Sequence, residues 1–316
     1  MSLKDRLFQD YYLMLKYRKA AGYSTGSDEI YIPSFINFCG EKYPDAELIT
    51  KEMVDAWLAF YSFRKAGTQM NVIGIIRHFT NFLNSIGKDD YVPDEDYGIH
   101  RERYVPYIFN DNEMRCLFNT FDAATATVGC PQRAIILPVL FRMMYCCGMR
   151  PGEPIRLRRE DVNLTTGDIY IRQSKRNKDR HIIMAEDLRL LCIQYDGLAG
   201  PRDWFFQRSD GSPFSSSWTL AQFHSCWKRS SLLKRGNPRP YDLRHCFATR
   251  NIMNWIDNGR DVMTLLPYLS TYMGHTKFSH TLYYVHLLPD RLLKSANIDW
   301  ERFDIIYRED LKYEES

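Results

Sequence analysis

Only one stretch of this 316-residue sequence alternates as strands do: Asn163 to Met184. Thr165-Thr166-Gly167-Asp168 reads as a turn, after which Ile169 and Ile171 alternate with Tyr170 and Arg172. Lys175-Arg-Asn-Lys178-Asp-Arg180 then reads as a basic loop before Ile182-Ile183-Met184. Elsewhere the apolar residues recur at helical spacing. The expected fold class is therefore mainly α with a small β-sheet.

Residues 1–87 read as four helices without strands. The first covers Leu3 to Arg18. The second covers Glu29 to Cys39, with Pro33 near its first turns. The third follows Thr50 as N-cap, with Val54, Trp57, Leu58 and Tyr61 on one face. The fourth runs from Thr68 to Ile86 and stops at Gly87, which can take a left-handed conformation. Residues 88–109 then change character: acidic, proline-containing and without apolar period, they read as an extended, solvated linker. Asn110-Asp-Asn-Glu113 forms a capping box that opens a second domain, 110–316. A long apolar helix is expected over Pro131 to Cys147, with Pro131 in its first turn and Gly148 at its end. After the β region, helices are expected over 185–196, 216–232, 241–256, 260–272 and 281–294, the last beginning a C-terminal tail helix.

At 45% hydrophobic and 26% charged, the composition is that of an ordinary soluble globular protein, and no window approaches a membrane-spanning run. The net charge of +3 and pI near 8.3 neither require nor exclude nucleic acid, so local charge is the better guide. The eight cysteines have no paired spacing, and no secretory leader opens the chain, which points to free thiols in a reducing cytoplasm. The histidines at 245, 275, 280 and 286 match no zinc spacing, so no metal is expected.

Four places could carry chemistry. Arg150, in Cys147-Gly-Met-Arg150-Pro-Gly-Glu153-Pro, has a planar fork suited to two phosphate oxygens. A surface pairing with Glu153 is the commoner use of an arginine at such a turn. Lys175, after the first strand, could donate a proton to a leaving alkoxide if its pKa falls. Lys178 is its rival, and a solvated turn lysine is the plainer reading. Arg244 lies three residues after Tyr241 in Tyr241-Asp-Leu-Arg244-His245, so one helix face would present both; His245 itself reads as structural. His275, in Met273-Gly-His275, could donate to a phosphate oxygen, and Tyr284, nine residues on, could act as a nucleophile. Most tyrosines simply pack, and Tyr283 competes with Tyr284.

Taken in order, these motifs resemble the tyrosine recombinase (phage integrase) family. The carrying residues are Gly148-Met-Arg150-Pro-Gly-Glu153, the lysine after the strand, Tyr241-Asp-Leu-Arg244-His245-Cys-Phe-Ala-Thr249, Met273-Gly-His275 and Thr281-Leu-Tyr-Tyr284-Val-His286. The resemblance implies a helical, SAM-like core-binding domain followed by an α+β catalytic domain. It implies Arg150 and Arg244 as phosphate clamps, Lys175 as general acid, His275 as the histidine after glycine, Glu153 as a supporting acid and Tyr284 as nucleophile. One position departs: the family usually has His or Lys where this chain has Tyr241, a phenol that can donate to phosphate but shuttles protons poorly at neutral pH.

The activity so implied is site-specific DNA recombination through a 3′-phosphotyrosyl link, with no cofactor. The implied substrate is double-stranded DNA with inverted-repeat core sites, held between the two domains by a homo-oligomer of two to four copies. Lys228-Arg229, Lys234-Arg235 and Arg176 would touch phosphates. An accessory directionality protein and a mobile-element role, as integrase or transposase, are further expectations. A chromosome-dimer resolvase is a close variant. A type IB topoisomerase and a DNA-binding protein without catalysis are the alternatives. The apolar helix over 287–300 packs either into a neighbouring copy or onto its own domain.

Overall fold

The computed structural model describes residues 2–95, 97–99, 104–174, 178–230 and 236–288. The chain divides into two compact units between Tyr104 and Val105. The first contains α1 (Leu3–Ala20), α2 (Asp28–Lys42), α3 (Lys51–Ala59) and α4 (Ala66–Ser85). Leu7, Met14, Ile32, Phe35, Val54, Trp57, Ile76 and Phe79 fill its core, one apolar face from each helix. Thr50 precedes α3 in extended conformation, although its side chain makes no capping bond to the helix backbone.

The stretch after α4 is less solvated than its composition implies. Asp90 is buried; it pairs with both terminal nitrogens of Arg6 at 3.0 and 2.9 Å and accepts the Ile49 N–H at 2.7 Å. The Pro93 carbonyl accepts from Arg77 at 2.8 Å. A carboxylate that finds a guanidinium and a backbone donor can be buried in a segment that reads as acidic linker.

The second unit opens with α5 (Asp111–Asp122), where the Asn110 side chain and the Glu113 backbone, and the Glu113 carboxylate and the Asn110 backbone, exchange hydrogen bonds of 2.9 Å. Next comes α6 (Arg133–Cys146), whose Ile136, Leu137, Leu140, Phe141 and Met144 are buried. Pro131 lies outside this helix, contrary to expectation. The turn closed between Thr127 and Cys130, with Arg133 N–H on the Cys130 carbonyl, delays the helix by two residues. Gly148 ends it at φ +58°. The sheet has three antiparallel strands: β1 (Val162–Asn163), β2 (Asp168–Ser174) and β3 (Lys178–Ile183). Ile169 faces Ile182, and Ile171 faces Arg180.

The remaining helices are α7 (Glu186–Ala199), α8 (Ser216–Arg229), α9 (Pro240–Asp257), α10 (Val262–Met273) and α11 (Ser279–Leu282). The expected helix over 281–294 is not continuous. α11 ends at Leu282, a 3₁₀ turn covers Val285–Leu287, and Leu288 is extended with ψ 148°. Leu288 precedes Pro289, and proline disfavours helical geometry in the residue before it. The expected tail helix lies outside the described residues. No described helix is long and apolar enough to cross a membrane. Two apolar clusters fill this unit, one around α5, α6, α7 and the sheet, the other around α9 and α10 and containing Tyr284 and Val285.

Candidate active site

The site is built on the C-terminal end of α10. A helix leaves its last carbonyls without partners inside the helix and carries partial negative charge there. Three consecutive carbonyls at this end each receive one arginine. Tyr272 O accepts Arg180 Nε at 3.0 Å, Met273 O accepts Arg244 Nη2 at 2.7 Å, and Gly274 O accepts Arg150 Nη2 at 2.7 Å. Gly274 closes the helix at φ +65°, and a Cβ there would lie 3.0 Å from Arg180 Cδ. The glycine before His275 thus permits both the left-handed turn and the passage of an arginine beneath it.

Each arginine arrives from a different element. Arg244 comes from the first turns of α9 and is fully buried. Its Nη1 donates to Gly148 O at 2.6 Å, and its Nε finds no acceptor. Arg150 follows α6, and Arg180 lies on β3. Glu153 ties these two together. Its carboxylate accepts the Arg150 N–H at 2.7 Å, Arg150 Nη1 at 2.9 Å and both Arg180 Nη atoms at 2.8 Å. Burial alone would raise the Glu153 carboxyl, but Arg180 first, with Arg244 and the Arg150 N–H, outweighs it and holds the group at about 2. The pairing of Arg150 with Glu153 therefore exists, inside a buried network rather than at a surface turn.

Arg180 is the residue that the sequence reading missed, having placed it in a basic loop. The period of the strand carried the signal. Arg180 shares parity with Ile182, which is buried, so it faces inward.

Tyr284 is buried and Tyr283 only half-buried. The Tyr284 ring lies 5.9 Å from the His275 ring, nearly parallel, and 5.5 Å from the His245 ring. Burial raises its hydroxyl to about 12, although Arg244 and Arg150 pull the other way. The His275 ring is fixed by a 2.7 Å hydrogen bond between Nδ1 and the buried Thr281 hydroxyl, which leaves Nε2 as the nitrogen available to a substrate. Burial, then Arg244 and Arg150, depresses His275 to about 2, so the ring is neutral. Tyr241 is half-buried at the start of α9, within electrostatic reach of Arg244 and Tyr284.

The structure therefore brings Arg150, Glu153, Tyr241, Arg244, His275 and Tyr284 to one place. Lys175, Arg176, Lys234 and Arg235 lie outside the described residues. Lys228 and Arg229 are exposed at the end of α8. Beside Arg150 and Glu153 opens a cleft of about 1100 Å³ lined by Arg156, Arg158, Arg159, Arg172 and Arg202, with the Arg158 guanidinium 3.6 Å over the Trp204 ring. Glu160 and Asp203 share this lining; Arg159 and Arg202 pair with Asp196, and Arg172 pairs with Glu160 and Asp161. Among the described residues, no group of three or more His, Cys, Asp or Glu is arranged to hold a metal ion.

The family model described as the phage integrase family matches residues 109–291. The integrase/recombinase y4rE of Sinorhizobium fredii is 27% identical over 286 residues, covering 88% of this chain and 91% of that protein. The tyrosine recombinase XerC of Staphylococcus epidermidis is 24% identical over 300 residues, covering 92% and 95%. Among solved structures, a lambda integrase dimer bound to a COC′ core site superposes with a TM-score of 0.63 at 17% identity, over 90% of this chain and 95% of that one. The Tn1549 transposon integrase in complex with transposon right-end DNA gives 0.65 at 12% identity, over 90% and 94%.

Proposed function

This chain belongs to the phage integrase family of tyrosine recombinases, enzymes that cut and rejoin DNA, and from that premise we propose that Tyr284 is its nucleophile. The observation that carries the proposal is the convergence of Tyr284, His275, Arg244 and Arg150 around one buried hydroxyl. The Tyr284 oxygen attacks the scissile phosphorus, and the 5′ oxygen leaves, giving a 3′-phosphotyrosyl link and a free 5′-hydroxyl. A 5′-hydroxyl from a second strand reverses the step, so the bond energy is retained in the link.

The residues divide the work by their chemistry. Arg150 and Arg244 neutralise charge on the non-bridging oxygens, the effect expected to be largest. His275, neutral, donates a hydrogen bond through Nε2. Tyr241 donates through its phenol and positions the phosphate without moving a proton. Lys175 protonates the leaving 5′ oxygen. Glu153 and Arg180 hold Arg150 in place. The DNA is double-stranded with inverted-repeat core sites, bound by two to four copies of the chain; solved relatives include a lambda integrase dimer on a core site and a lambda integrase tetramer on a Holliday junction.

The test is a nicked suicide substrate carrying candidate inverted repeats, read on a denaturing gel. Wild-type protein and Tyr283→Phe should form a covalent adduct, and Tyr284→Phe should form none. The reverse pattern would sink the assignment. Relaxation of supercoiled DNA without any preferred site would favour the topoisomerase reading instead.

A further inference from the structure

One titratable group at the site has no part in this scheme. His245 lies one turn after Tyr241 on α9, on the same helix face, and is buried. Its ring stands between two tyrosines, 5.0 Å from that of Tyr241 and 5.5 Å from that of Tyr284. Its Nδ1 is buried without a hydrogen-bond partner. A buried ring nitrogen left without a partner costs about 1–3 kcal/mol, so its presence in a ring packed against that of Tyr284 calls for an explanation. Tyr284, for its part, has to lose a proton. With its hydroxyl pushed up to about 12, only on the order of one molecule in 10⁵ is ionised at neutral pH.

We propose that His245 is a further catalytic residue: once bound DNA draws the Tyr284 hydroxyl within hydrogen-bond reach of it, its neutral Nδ1 takes the Tyr284 proton as the phenol oxygen bonds to phosphorus, and returns it when that bond breaks. The inference rests on Tyr284 being the nucleophile. In the forward step the Tyr284 O–H and the P–O5′ bonds break, and the O–P bond forms. The Tyr284 proton moves to Nδ1, and the leaving 5′ oxygen takes a separate proton from Lys175. In the reverse step the attacking 5′-hydroxyl gives its proton back to Lys175 as its oxygen bonds to phosphorus, and the electron pair of the broken O–P bond stays on the Tyr284 oxygen, which recovers its proton from Nδ1.

The surroundings set the protonation state. Tyr241 on α9 and Tyr284 after α11 pack against the ring, and Arg244 on α9 and Arg239 just before it act on its charge. Burial, then Arg239 and Arg244, keeps His245 neutral in the free chain, at about 4. A bound phosphate offsets those guanidiniums and makes the imidazolium easier to form. The ring also borders an open cleft of about 390 Å³ with Pro151, Leu220 and Tyr241.

The test uses the full chain on the suicide substrate under single-turnover conditions, with DNA affinity measured in parallel. His245→Phe keeps a ring between the tyrosines but removes the acceptor; His245→Ala leaves room for added imidazole. Near pH 7, His245→Phe should bind DNA as wild type does and cleave about 10²–10³-fold more slowly. Its rate should climb about tenfold per pH unit as Tyr284 ionises unaided, and imidazole should rescue His245→Ala. His245→Phe cleaving within about threefold of wild type at every pH would overturn the inference while leaving Tyr284 its role. Should His245→Phe fail to fold, an imidazole-insensitive His245→Ala overturns it as well. An adduct that persists in Tyr284→Phe would overturn the underlying reading instead.

Discussion

Glu153 sits between two guanidiniums with its carboxylate largely out of water, and that placement has a pH signature. Its pKa is about 2, against an ordinary 4.5, so the ionised carboxylate stabilises the fold above pH ~4.5. That stabilisation is lost as the pH falls from there towards about 2. Glu153→Gln should lower stability by about 3 kcal/mol at pH 7, with the gap to wild type closing across that acid window, as read by urea denaturation at stepped pH. Gly148 is a second exacting residue. At φ +58°, an added Cβ would collide with the Phe247 ring, and the Gly148 carbonyl holds Arg244. Gly148→Ala should cost at least about 2 kcal/mol and slow DNA cleavage, which a urea midpoint and an adduct assay would show. Both residues stood out in the sequence, because glycine after an apolar helix and glutamate near arginine are local signals. Their partners did not, because Arg180 lies 27 residues from Glu153 and Phe247 lies almost a hundred from Gly148.

Among elements, the C-terminus of α10 does most to shape the site, because the carbonyls of its last two residues and of Gly274 after them each fix one arginine and its dipole favours cations there. The β2–β3 hairpin is tied to this helix end through Arg180. The tie depends on a planar fork that reaches a carboxylate bidentately while its Nε serves a carbonyl, and lysine cannot reproduce that. Arg180→Lys should therefore slow single-turnover cleavage by about 10–100-fold and change DNA affinity by less than about threefold, because the hairpin and Arg150 lose their registration. Comparable losses in affinity and rate would point instead to a general loss of folding. The helices themselves were legible from period and caps, as the Asn110–Glu113 box and the left-handed Gly274 illustrate. The breaks were less so: the extended Leu288 after the 3₁₀ turn follows from Pro289 only when the residue before the proline is considered.

On the scale of the whole molecule, the chain forms two compact units, and the core of the first is closed by a long-range polar contact. Asp90 joins Arg6 of α1 to the Ile49 backbone before α3, with Tyr91 N–H adding a 2.9 Å bond to Ile49 O. Asp90→Asn should destabilise this unit by about 3 kcal/mol, since it leaves Arg6, itself mostly buried, without its counter-charge. Faster amide exchange across α1 and α4 would report it. Unchanged exchange there would show that the pair contributes nothing net.

The sequence by itself determined the helical class, the single β region, the two-part layout of apolar periods and the order of the arginine, histidine and tyrosine motifs. These are local: caps, left-handed glycines and hydrophobic periods act over a few residues. Only the tertiary structure decided that Arg180 joins Glu153, that His245 faces Tyr284, that Tyr284 rather than Tyr283 is the buried one of the pair, and that Asp90 is buried. Each of these depends on burial and on charges brought from distant segments, where desolvation and pairing nearly cancel, and a residue's type does not reveal which of the two prevails.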